Sequence, residues 1–212
     1  MTGSAAPVPL PPGRRRWLWL GGGVVAAGII GFAARRWWQP SADEPPAEFC
    51  VVSPALPYDA ASGLAPDLPR PVPADARCPV CGMYPARSPR WAAQALYRDG
   101  HVHFFDSPID LFQFMADVPR YSPGRSASDI LSTWVTDAPS SRWVAAEQAW
   151  YVHGSDALGP MRMGDLPAFA SRDEAAGFAR QRGGQVLAHD AITPAIVKSL
   201  SVERSHALHQ HQ

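Results

Sequence analysis

Between Trp91 and Asp190 the chain writes one order of elements twice, and few folds accept such a pattern. The first copy, "WAAQALYRDGHVHFFDSPIDLFQFMADV", reads as two strands joined by a tight turn at Asp99-Gly100. Ser107 stands at a helix N-cap with Pro108 at the first helical position, and Leu111, Phe112 and Met115 share one face of that helix. "DILSTWVTD" supplies a third strand, rich in β-branched residues. The second copy runs from "WVAAEQAWYVHG" through "GDLPAFASRDEAAGFARQRGG" to "QVLAHDAI". Ser171 and Glu174 form a capping-box pattern, and Gly183-Gly184 ends the helix. In both copies a phenylalanine precedes the cap serine by two residues and another follows it by seven: Phe105, Ser107 and Phe114, then Phe169, Ser171 and Phe178. The expected fold is α+β, built of two tandem ββαβ units over about 91–137 and 143–192. Neither unit is large enough to bury much core alone, so the two are expected to pack together.

Upstream, an uncharged apolar run from Trp17 to Ala34 is bracketed by Arg14–Arg16 and Arg35–Arg36. At about 1.5 Å per residue it spans roughly 27 Å, close to the hydrocarbon core of a bilayer. Trp17, Trp19, Trp37 and Trp38 lie near its ends, where indoles favour the membrane interface. The expectation for residues 1–38 is an N-terminal transmembrane helix, uncleaved, with the bulk of the chain outside the cytoplasm. A cleaved export signal is the alternative. Residues 39–77 are proline-rich and read as a semi-rigid spacer, and residues 193–212 as a polar tail carrying His206, His209 and His211. Lysine plus arginine and aspartate plus glutamate both number 19, so the formal net charge is zero. A nucleic-acid partner is not expected from that balance.

The chemistry concentrates in "CPVCGM", where Cys78, Cys81 and Met83 fall within six residues. An inert disulfide is one reading, although Cys50 makes the cysteine count three and leaves one unpaired. A membrane-anchored thiol–disulfide oxidoreductase using Cys78 and Cys81 is a second, since C-x-x-C is the spacing of dithiol enzymes. Pro85 and Pro89 forbid the long helix that such motifs open. A non-metal interaction domain stapled by the cysteines is a third. Structural zinc wants a second ligand pair, whereas His101 and His103 share one strand and His153 and His189 stand apart. A soft monovalent metal fits better: Cu(I) prefers thiolate and thioether donors and accepts two or three of them. Cys81 and Met83 offer one of each, and Met161 and Met163 lie in the loop between the first two strands of the second unit.

Taken in order, "CPVCGM", "WAAQALYRDG", "FFDSP", "WVTD", "AWYVHG", "GPM" and "AFASRDEAAGFARQRGGQV" resemble the NosL family of nitrous-oxide reductase accessory proteins. The resemblance covers about 78–192 and is similar in fold to a pair of ββαβ units. It implies a copper chaperone, not an enzyme, that carries Cu(I) outside the cytoplasm, in the periplasm, and hands it to nitrous-oxide reductase or a similar copper enzyme. Carried over residue by residue, the metal ligands implied are Cys81, Met83 and Met161, with Cys78 completing or guarding the site. One departure matters. Relatives are typically lipoproteins, but Cys50 follows "AEF" well beyond the apolar run and is no lipobox, so an uncleaved helix is expected to replace the lipid.

Overall fold

The computed structural model describes residues 53–200 of the chain. The expected span Trp17–Ala34, Cys50 and the three tail histidines lie outside the described residues. Among the described residues no helix is long and apolar enough to cross a membrane.

The duplication is visible in two antiparallel sheets. The first is built from β1 (Ala93–Tyr97), β2 (Val102–Phe105), β3 (Ile130–Thr136) and β4 (Trp143–Ala145), in the order β2-β1-β3-β4. Helix α1 (Pro108–Ala116) and the short α2 (Val118–Tyr121) connect β2 to β3. The second contains β5 (Trp150–His153), β6 (Ala168–Phe169) and β7 (Gln185–Ala188), ordered β6-β5-β7, with α3 (Arg172–Arg182) between β6 and β7. In each sheet the unit's first strand takes the middle, its hairpin partner one side, and the strand returning from the helix the other. The repeated phenylalanines repeat their packing as well. Phe105 and Phe114 hold ring centroids 5.1 Å apart, and Phe169 and Phe178 hold theirs 5.0 Å apart.

The second unit starts later than expected. Trp143–Ala145 does not open it but pairs with β3 as an edge of the first sheet, Val135 facing Val144. Asp137 makes that hairpin: its carboxylate accepts from the Ser140 amide at 3.0 Å, and its carbonyl from the Ser141 amide at 2.8 Å. The second unit therefore begins at β5, and a long loop, 154–167, replaces the tight turn of the first. A parallel bridge between Asp137 and Ala168 joins the two sheets.

Residues 53–77, the described part of the stretch read as a semi-rigid spacer, pack against the domain. β1 alternates: Ala93, Ala95 and Tyr97 point into the main core with Phe105, Ile109 and Phe114, while Leu96 points the other way with Val102 and Phe104. Both faces are apolar, so both need a cover, and Leu56, Val72 and Ala76 cover the second. Leu56 exchanges both backbone hydrogen bonds with Val102 at 2.8 and 2.9 Å. Arg70 exchanges hydrogen bonds with the Gln94 side chain, and its guanidinium donates to the Gly100 carbonyl at 2.6 Å. The Asp67 carbonyl accepts from Ser132 and Trp134. A proline-rich strap suits this place because it lays few orphan amide donors on a sheet face.

Residues 193–200 also depart from the expected polar tail. Residues 194–200 are helical, and Val197 and Leu200 are buried in the main core. That core joins both units, with Tyr151, Leu166 and Ala168 of the second packed among the residues of the first.

Candidate metal centre

The Cys78–Met83 segment is a turn, not the start of a helix. The Gly82 amide donates to the Cys78 carbonyl at 2.9 Å, and the Cys78 amide to the Met83 carbonyl at 2.9 Å. Gly82 has φ of 75°, a left-handed conformation that a side chain would strain. Closing the loop this way turns both cysteines inward. Cys78 is 1% exposed and Cys81 half-buried, while Met83, at 39%, stays open to solvent.

Both cysteines are free thiols, and the first helix meets them. Cys81 donates to the Asp106 carboxylate at 2.9 Å, and the Cys78 thiol lies 3.8 Å from the Asp110 carboxylate. One ligand atom from each of Cys78, Cys81, Asp106 and Asp110 falls within 4.8 Å of the others. Burial first, then the Asp110 and Asp106 charges, push the Cys78 thiol up from its ordinary value, against the lowering effect of its hydrogen bond with Cys81. The Cys81 thiol is pushed well up by that same bond with Cys78, then by burial and the two carboxylates. Thiols so held keep their protons, the reverse of the lowered pKa that a redox nucleophile needs. A cation entering here displaces those protons and finds two soft and two hard donors.

The sequence singled out Cys78 and Cys81, and the fold brings them together. It missed Asp106 and Asp110. Their signal was the "DSPID" spacing, which sets one carboxylate before the N-cap of α1 and the other in its first turn, where negative charge is favoured. Ser107 makes no cap bond here; its hydroxyl donates to Asp110 at 3.4 Å. Met161 is half-buried in the loop 154–167. That loop docks beside the centre: the buried Asp165 accepts from the Ile109 amide, in the first turn of α1, at 3.4 Å. Gly159 lets the loop close on itself, since a Cβ there would lie 2.2 Å from the Asp165 carboxylate. His103 is a core residue, its Nε2 3.3 Å from Ser122 Oγ.

Two relatives resemble this chain. The chain is 48% identical over 67 residues to the copper-binding lipoprotein NosL of Achromobacter cycloclastes, a match covering 31% of this chain and 34% of that relative. The chain thus spans about a third of that relative's length. The crystal structure of the copper chaperone NosL from Shewanella denitrificans superposes with a TM-score of 0.52 at 26% identity, covering 62% of this chain and 99% of that one. The NosL family pattern matches residues 69–197, more than half of the chain and inclusive of the Arg70 strap and Val197; the chain is a member of the NosL family.

Proposed function

We propose that the chain binds copper as Cu(I) and carries it as cargo, without catalytic turnover. Cys78 and Cys81 bind as thiolates, and Met83 and Met161 supply thioethers. The observation that carries this reading is the turn itself: a buried thiol and a half-buried one side by side, with an exposed thioether two residues after the second. Sulfur donors of this kind select Cu(I) over harder ions, and an exposed methionine gives a recipient a first ligand to exchange. The Asp106 and Asp110 carboxylates stand where the displaced thiol protons leave.

The recipient is a copper enzyme outside the cytoplasm, nitrous-oxide reductase or a similar one. The apolar run Trp17–Ala34 tethers the domain to the cell membrane on its periplasmic side. Support comes from the kind of relatives matched, a copper-binding lipoprotein and a copper chaperone. Thiol–disulfide turnover is the weaker reading, because both thiols are pushed towards their protonated forms.

The test is Cu(I) binding by the reduced full chain in competition with a chromogenic chelator. Cys81→Ser is expected to abolish tight binding, and Met83→Leu to weaken it while leaving the stoichiometry at one. Wild-type affinity in Cys81→Ser would sink the assignment.

A further inference from the structure

Residues 87–91, the loop 154–167 and helix α3 line a groove of about 450 Å³. Arg87, Arg90 and Trp91 line one bank, and Leu158, Phe178 and Arg182 line the other. We propose that this groove docks the protein that exchanges copper with the chain, and that it takes an acidic segment of that partner bearing an apolar anchor residue. The proposal rests on the copper-carrier reading above.

Charge is the first reason. No carboxylate lines the groove. Arg182 is paired with Asp156, but among the described residues neither Arg87 nor Arg90 has an ion-pair partner. Arg90 donates to the Ala138 carbonyl from Nε and one terminal nitrogen. The Arg87 guanidinium stacks on the Tyr84 ring at 4.5 Å, and Arg77 stacks on the same ring at 4.4 Å. Stacking on an aromatic ring holds the exposed Arg87 cation in place without neutralising its charge. In a chain whose charges sum to zero, this is a local basic excess.

The second reason is apolar surface. Leu158 is 58% exposed, and Trp91 and Phe178 are half-buried against the same hollow. Arginine and tryptophan around a concave apolar patch are the composition of binding hot spots. A concave hollow fits an inserted side chain, whereas a lipid surface wants a flat or convex face.

Position is the third. Arg87 follows Met83 by four residues, so the two Cα atoms are at most about 14 Å apart. Leu158 shares the loop 154–167 with Met161. Short chain segments therefore connect the groove to both proposed thioether donors.

The experiment uses the reduced full chain and three probes: a fluorescent peptide of alternating glutamate and leucine, its lysine counterpart, and phosphatidylglycerol vesicles. The glutamate peptide is expected to bind and the lysine peptide not to. Arg87→Glu with Arg90→Glu, and separately Leu158→Glu on the opposite bank, should each weaken peptide binding by about tenfold or more. Cu(I) affinity of the same variants, read by chelator competition, should stay at wild-type level, which also certifies their fold. Equal binding of the two peptides, insensitivity to substitution on both banks, or vesicle binding lost with the same substitutions would each overturn the proposal. Failure of the wild-type chain to bind Cu(I) would instead remove the carrier reading, and the peptide arm would be unaffected.

Discussion

His103 shows how one buried side chain ties the core to pH. Its ring packs edge-on against Tyr97 and Phe114 at 5.8 and 5.3 Å, with Ser122 as its polar partner. Burial, then the charges of Arg125 and His101, pull its pKa from the ordinary 6.5 down to about 4. The folded chain holds the imidazole neutral while the unfolded chain protonates it below about pH 6.5. Stability from the neutral ring is therefore whole above 6.5, falls as pH drops towards 4, and levels off below. The full loss is on the order of 3 kcal/mol. His103→Phe keeps the ring packing and should flatten that decline, measured by urea unfolding between pH 4 and 7. An unchanged slope would place the pH dependence elsewhere.

At the scale of elements, two helices with one sequence signature do different work. Ser171 caps α3, accepting from the Glu174 amide at 3.2 Å, while its hydroxyl donates to the Glu174 carboxylate at 3.0 Å. Ser107 occupies the same place in the first unit but turns to Asp110, and α1 is approached instead by Asp165 from the other unit. The first helix is thus oriented by the centre it helps to form. The phenylalanine pairs divide along the same line: Phe114 is fully buried among Phe105, His103 and Tyr121, whereas Phe178 is half-buried beside the groove. Phe114→Ala should cost about 3–5 kcal/mol, and Phe178→Ala roughly half of that. Denaturant midpoints of the two variants check the order; equal losses would mean that the two units carry the core alike.

For the whole molecule, the strap is a third layer. Gly100, with φ of 83°, is pressed against it so closely that a Cβ would lie 2.6 Å from the Tyr58 Cβ. A chain lacking residues 1–68 loses Leu56, Tyr58 and the Asp67 carbonyl, and opens the face of Leu96, Val102 and Phe104. Compared with one lacking residues 1–52, it should be less stable by about 3 kcal/mol or more, the worth of the apolar area uncovered. Identical urea midpoints would make the strap an appendage. The repeat, the tight turn at Asp99-Gly100 and the cap of α3 were legible in the sequence because each depends on residues within a few positions of one another. Cys78 and Cys81 were legible for the same reason. Asp106 and Asp110, 25 and 32 residues from the thiols they meet, were not, nor was the transfer of Trp143–Ala145 to the first sheet. Local pattern determined the ββαβ order and the sulfur turn. Only the tertiary structure decided which carboxylates face the thiols, which strap covers the sheet and which loops share a groove, because those contacts follow from which apolar faces remained to be buried.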